Sequence, residues 1–244
     1  RTQDSTQYLA TPRSASGFVA CQLTGRGGLA CLDGREVRYW PNAAKSPETS
    51  ETLFSCDDPV LGLDAKRGVQ SCTGLAVDLS GAVWISGKKP NNSYSLIKTV
   101  PLDPAAAVCP TGTTLLSGGK YCKVNAEFAA GRPLLQEITA VDGDLGAEFK
   151  YGKGVAGVEL RSSIVYFTDP KTSPKVIASG KSTLGLNGNE QGLSAALLRL
   201  ESGTFVFLYV TSTGRVLAIN DDRKTWVPIF AMQPDRTSSM PPAT

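Results

Sequence analysis

The sequence contains no histidine among its 244 residues. This absence removes the commonest general base, the imidazole ligands of zinc and the usual Ser-His and Cys-His nucleophile pairs. An enzyme with this sequence would have to work with carboxylates, lysine, tyrosine or a carboxylate-bound cation. No catalytic motif takes the place of histidine, so we predict no catalytic residues. The sequence argues against an enzyme without excluding one.

Long apolar runs and one-sided charge are also missing. No window of about 18 residues is apolar throughout, so we expect no membrane span. No basic and apolar leader opens the chain, so a signal peptide, if there was one, would already have been removed. Lys and Arg number 25 against 22 Asp and Glu, which gives a net charge of +3. That balance argues against a nucleic-acid partner, which needs clustered basic residues.

Six cysteines are present, all in the first half of the chain, at Cys21, Cys31, Cys56, Cys72, Cys109 and Cys122. Their even number and the lack of any C-x-x-C spacing favour disulfides over a metal or redox site. Many pairings are possible, and we favour the sequential one because each neighbouring pair is bounded by strand and turn sequence. Six reduced cysteines in a cytosolic protein are the alternative.

Possible modification sites suggest the same setting as the cysteines. Asn91-Asn92-Ser93 is an N-glycosylation sequence in a polar turn between two predicted strands. Residues 231–244 are rich in Pro, Ser and Thr and cannot build a core. We interpret them as a tail with O-glycosylation candidates at Thr237, Ser238, Ser239 and Thr244. Together these features predict a secreted or cell-surface glycoprotein.

The strand pattern is clearest in residues 73–100. Two short apolar runs flank the turn Ser80-Gly81, and a polar loop leads to a third run that ends at Val100. This is the pattern of an antiparallel meander. Similar units have first strands near residues 17, 74, 155 and 195, with room for a degraded unit near 115. A period of about 40 residues with three or four strands per unit is typical of a β-propeller.

We therefore predict an all-β fold, a disulfide-stapled β-propeller of five blades, or six as the alternative, over residues 17–230. Residues 1–16 would be an N-terminal segment that could add a strand. The partly apolar excursion between Cys56 and Cys72 should pack on the domain. A pair of β-sandwiches is the competing fold, but it would make the 40-residue recurrence accidental.

The run GLAVDLSGAVWISG at residues 74–87, followed by SLIKTV at 95–100, resembles a blade of the NHL-type and gluconolactonase-like propellers. The resemblance implies the propeller fold. In the gluconolactonase-like enzymes, central Glu, Asn and Asp side chains hold a divalent cation. That set cannot be assigned here residue by residue: Glu159 lies near an inner strand, but it has no assignable partners.

Other candidate sites have simpler interpretations. Asp142-Gly143-Asp144 with Glu148 could bind calcium, but Asp-Gly is first a hairpin turn, as is Asn220-Asp221-Asp222. No cofactor is expected, with calcium as a minor alternative. Trp40, Trp84 and Trp226 sit at strand positions, where packing is commoner than sugar stacking. Lys88-Lys89 is expected at a solvated loop tip.

The function favoured by these observations is that of a secreted or cell-surface module with a structural or interaction role. Such a module would bind a protein partner, or self-assemble through its termini as a subunit of an extracellular filament or surface assembly. Two alternatives remain: a carbohydrate-binding propeller of the lectin type, and a cation-dependent lactonase or hydrolase of the gluconolactonase-like kind.

Overall fold

The computed structural model describes residues 17–24, 28–43, 45–66, 71–78, 80–126, 128–132, 135–141, 154–159, 163–167, 175–179, 186–199, 205–220 and 226–231. The chain divides into two compact units, Arg1–Arg132 and Pro133–Thr244. Apart from one 3-10 turn, Pro59–Leu61, the described residues contain strands and no helix. That part of the chain accordingly has no helix with the length and apolarity to cross a membrane.

The first unit contains two antiparallel sheets. One is a four-stranded meander in sequence order, and the other places β5, β6, β7, β9 and β8 side by side, with β10 also paired to β7. The strands are β1 Phe18–Leu23, β2 Leu29–Asp33, β3 Glu36–Trp40, β4 Glu51–Ser55, β5 Cys72–Val77, β6 Val83–Lys88, β7 Tyr94–Pro101, β8 Thr113–Leu115, β9 Tyr121–Val124 and β10 Phe128–Arg132.

The second unit contains two four-stranded meanders, again in sequence order. One is formed by β11 Leu135–Val141, β12 Gly154–Glu159, β13 Ser163–Phe167 and β14 Lys175–Ser179. The other is formed by β15 Gly192–Arg199, β16 Phe205–Thr211, β17 Arg215–Asn220 and β18 Trp226–Ala231. The predicted all-β class with short antiparallel sheets is therefore confirmed.

The predicted repeat period is wrong. The sheets begin at Phe18, Cys72, Leu135 and Gly192, so their first strands start 54, 63 and 57 residues apart. The strand near residue 155 is the second of its sheet, because β11 precedes it and pairs with β12. The predicted interval of 40 residues runs from β12, the second strand of one sheet, to β15, the first strand of the next.

The degraded unit expected near residue 115 forms no sheet of its own. Its hairpin, β8 with β9, joins the second sheet, because Thr99–Pro101 of β7 pairs with Tyr121–Lys123. Strands of three and four residues are too short to stand alone, and adding them to an existing edge provides the missing partner. Three of the four sheets are meanders in sequence order, and the second begins as one with β5, β6 and β7. Five-bladed closure stays a prediction.

The core of the first unit lies where its two sheets face each other. Fifteen buried residues form one cluster that includes side chains from both sheets, among them Leu32, Phe54, Leu75 and Ile85. The apolar side chains on the facing strands leave water by packing against one another. Trp40 and Trp84 are 1% and 5% exposed, so both pack in the interior. The side chain of Trp226 lies outside the described residues.

The excursion between Cys56 and Cys72 packs on the unit as predicted. Leu61 and Leu63 are buried. Asp58 accepts the backbone N–H of Val60 at 3.0 Å, which caps the 3-10 turn, and that of Ser117 at 2.6 Å. Lys123 donates to the carbonyl of Val60 at 3.0 Å. The excursion therefore ties the end of the first sheet to the β8–β9 hairpin.

Candidate functional site

A cleft of about 550 Å³ opens between the two sheets of the first unit. On one side β1 packs against β5, and Gln22 accepts the backbone N–H of Val77 at 3.0 Å. The rest of the lining comes from both sheets and the connections that follow them: Thr24, Ala30, Tyr39, Glu51, Leu53, Val77, Asp78, Ser80, Gly81, Val83, Pro101, Leu102, Pro104, Gly119, Lys120 and Tyr121. Its volume is within the range of ligand-binding sites.

The walls of the cleft are mainly apolar and carry two tyrosine rings. Tyr39 comes from the first sheet and lies directly over Gly28, where any β-carbon would collide with the ring. Tyr121 comes from the second sheet, packs on Phe54 with ring centres 5.6 Å apart, and donates to the carbonyl of Gly81 at 3.4 Å. Rigid amphipathic rings of this kind bind ligands at low entropic cost.

The charged groups of the cleft have structural partners. Lys120 bonds Glu51 at 2.8 Å and the carbonyl of Thr52 at 3.4 Å, and both charged side chains are half-exposed. Asp78 accepts the backbone N–H groups of Ser80 and Ala82, each at 3.0 Å, and the indole N–H of Trp84 at 3.2 Å. Asp78 therefore builds the turn between β5 and β6, while Glu51 and Lys120 lie where solvent reaches them.

Disulfides close two of the segments that line the cleft. The structure pairs Cys21 with Cys31, Cys56 with Cys72, and Cys109 with Cys122, which is the sequential pattern. Thr24 and Ala30 lie inside the first closed segment, and Gly119, Lys120 and Tyr121 lie inside the third. Covalent closure restricts these wall segments before anything binds, which reduces the ordering cost of binding.

A second polar cluster lies in the second unit, where Glu190 is 3% exposed. Its carboxylate accepts hydrogen bonds from Nε of Arg215 and from the backbone N–H of Asn187, each at 2.9 Å. It also accepts hydrogen bonds from the hydroxyl of Thr213 and from Nη2 of Arg215. The hydrogen bond from Arg215 is the main cause of the strongly lowered pKa of Glu190.

Tyr209 lies buried beside this cluster. Burial, with the charge of Glu190 as the lesser cause, raises the pKa of Tyr209 to about 12. Both groups therefore keep their ordinary charge states at neutral pH, and the cluster fixes residues 187–192 to the β16–β17 turn. This is a structural role.

The predicted modification sites are placed only in part. Asn91 is exposed at the β6–β7 turn, where its Oδ1 accepts the backbone N–H of Ser93 at 3.1 Å and the hydroxyl of Ser93 at 2.6 Å. Lys88 and Lys89 beside it are half-buried rather than fully solvated. The O-glycosylation candidates Thr237, Ser238, Ser239 and Thr244 lie outside the described residues.

The predicted cation sites are not tested. Asp142, Gly143, Asp144, Glu148, Asp221 and Asp222 lie outside the described residues, while Glu159 and Asn220 end β12 and β17. Within the described ranges, no group of three or more His, Cys, Asp or Glu residues is placed to hold a metal ion.

The sequence analysis missed the cleft and its two tyrosines. Tyr39 lies in β3 and Tyr121 begins β9. Neither strand has a feature that predicts the other sheet as its neighbour. The one local sign was the glycine-rich turn before β2, whose Gly28 leaves room for the ring of Tyr39.

Comparisons with known proteins show the fold and no family. No protein-family model matches the chain, and no curated protein matches it. Among solved structures, the chain resembles YCF48 from Cyanidioschyzon merolae, a β-propeller protein, with a TM-score of 0.51 at 13% sequence identity. The match covers 93% of this chain and 60% of the other, so the chain spans three fifths of that structure's length. The fold is therefore propeller-like.

Proposed function

We propose that this chain is a secreted or cell-surface glycoprotein module that acts by binding, through the cleft of its first unit, as part of an extracellular assembly. The observation that carries the proposal is the pairing of all six cysteines in disulfides, two of which close segments that line the cleft. Disulfides persist in oxidising compartments such as the extracellular space. A covalently restricted cleft with apolar walls suits recognition of a partner.

Binding is favoured over catalysis by the chemistry of the lining. Its two carboxylates are engaged, Glu51 by Lys120 and Asp78 by its own turn. Neither forms the pair of nearby acid and base groups that hydrolysis would use. The tyrosines, prolines and aliphatic residues of the walls offer contact area.

At a finer level, we propose that the sheets are blades of a closed propeller of the NHL or gluconolactonase-like type. Five blades remain the first expectation and six the alternative. The likeness to a propeller protein supports the general fold. An electron-density map at side-chain resolution would count the blades, and an open pair of face-packed sheets would refute closure.

Mass spectrometry of the protein from its native source tests the proposed setting. Non-reducing peptide maps should contain the three sequential disulfides, and Asn91 should carry an N-glycan. Cys-containing peptides recovered reduced after rapid alkylation, together with unmodified Asn91, would reject the secreted glycoprotein.

A further inference from the structure

We propose that the cleft of the first unit binds the proline-rich segment 232–244 of a second copy of this chain. The inference rests on the proposed binding function and names its partner. The segment contains Pro234, Arg236, Pro241 and Pro242. The argument is one of chemical complementarity between this segment and the described walls of the cleft.

The apolar walls of the cleft suit the proline rings of the segment. Proline-rich segments dock in grooves lined by aromatic rings, where their restricted backbone loses little entropy on binding. Tyr39 and Tyr121 supply such rings from opposite sheets, and Leu53, Val77 and Val83 supply aliphatic surface between them. The Pro241-Pro242 step provides rigid apolar rings of matching character.

A sugar finds fewer partners in the same space. Thr24 is bonded to the backbone of Gly28, accepting its N–H at 3.1 Å and donating to its carbonyl at 3.3 Å. The carboxylate of Asp78 accepts three donors from its own turn and one from Trp84. These groups would have to break internal bonds to hold sugar hydroxyls, which costs free energy.

The charged groups of the cleft can pair with those of the segment, which carries Asp235 and Arg236. The lining contains two carboxylates, Glu51 and Asp78, against one ammonium group, Lys120. Lys120 occupies one oxygen of Glu51, and a carboxylate can accept more than one donor. The guanidinium group of Arg236 can therefore join this pair at the solvent-exposed side of the cleft, while the prolines occupy the apolar walls.

Self-association of the full-length chain tests the proposal. In sedimentation equilibrium, the association constant should fall at least about tenfold, or 1.4 kcal/mol, in the variant Pro104→Arg. Pro104 is exposed and lines the cleft, so the new side chain fills the site. Ala105→Arg is the matched control, because the adjacent Ala105 is exposed and lies outside the lining. It should associate like the natural sequence.

The tail is tested by the triple variant Arg236→Ala, Pro241→Ala, Pro242→Ala. It should lose association to a similar extent. Mixing it with the Pro104→Arg variant should restore one-to-one dimers, because the first keeps an intact cleft and the second an intact tail. Restoration shows that both variants are folded.

A synthetic peptide of residues 232–244 should dissociate the natural protein, and a scrambled peptide should not. Monomers at every concentration, or association that neither variant alters, would overturn the proposal. The disulfide and glycan maps are independent of this result, so the tail could fail as the ligand while the proposed secreted module stands.

Discussion

The buried carboxylate of Glu190 holds the connection before β15 in place. The sequence before β15 has no strand or helix pattern, yet Glu190 fixes residues 187–190 through Arg215, Thr213 and the N–H of Asn187. A carboxylate removed from water needs this many donors, because an unpaired buried charge is strongly destabilising.

Replacing Glu190→Gln should lower the unfolding free energy of the second unit by about 3 kcal/mol at pH 7, at the low end for a broken buried pair because Arg215 keeps some contact with water. The folded-state pKa of Glu190 is lowered from its ordinary value of 4.5. Its contribution is therefore fully present above about pH 5 and is lost as pH falls toward the folded-state pKa.

Urea denaturation followed by tryptophan fluorescence, to which Trp226 is the one contributor from the second unit, would measure this difference at several pH values. The gap between the natural protein and the variant should narrow steadily below about pH 4.5. Exposed Glu48→Gln is the control and should change little. A gap that stays constant down to pH 2 would show that Glu190 does not act through its charge.

Gly28 and Tyr39 form a second residue-scale pair. A β-carbon at Gly28 would collide with the ring of Tyr39, so Gly28→Ala should cost about 1–3 kcal/mol, as overpacking generally does. In the background Tyr39→Ala the ring is gone, and the same substitution should cost much less. The coupling is measured by a double-mutant cycle in urea. Additive changes in unfolding free energy would mean that the position of the Tyr39 ring does not depend on Gly28.

At the scale of elements, the strands could be predicted because alternation and turn residues are local features. The three runs predicted in residues 73–100 form β5, β6 and β7, and the unit starts predicted near residues 17 and 195 lie at β1 and β15. β10 was missed because its sequence, FAAGR, is short and lacks alternation, and its pairing with β7 is a long-range contact. The false repeat period has the same origin, since sequence alone does not say which strand begins a sheet.

The three disulfides should differ in their contribution to stability. Cys21–Cys31 joins directly paired residues of neighbouring strands. Cys56–Cys72 joins two sheets across 16 residues, and both cysteines are fully buried. Longer closed segments restrict the unfolded chain more. Replacing both cysteines of the second pair by alanine should therefore cost more than replacing those of the first, within the usual range of about 2–4 kcal/mol.

Guanidinium denaturation, followed by near-ultraviolet circular dichroism, would rank the two double variants. Core packing also favours this order, because alanine at the buried positions leaves a cavity. Equal losses of unfolding free energy, or a larger loss for the Cys21–Cys31 pair, would contradict the interpretation that this disulfide joins strands that their hairpin already holds together.

At the scale of the whole molecule, the candidate site is a property of two sheets and of neither alone. Tyr39 and Glu51 come from the first sheet, whereas Tyr121 and Lys120 come from the second. The pairing Lys120–Glu51 spans 69 residues of sequence. The sequence predicted strands and the pairing of the cysteines, but the meeting of the sheets depends on packing over distances that local patterns do not encode.

The uneven placement of cysteines leads to a prediction for the molecule as a whole. All three disulfides lie in unit Arg1–Arg132, and unit Pro133–Thr244 contains no cysteine. Reduction under native conditions should therefore lower the protection of backbone amides in the first unit and leave the second almost unchanged, because a crosslink stabilises the chain segment that it closes. Hydrogen-exchange mass spectrometry with and without reductant would measure both units in one sample. An equal loss of protection in both would show that the two units unfold as one cooperative body.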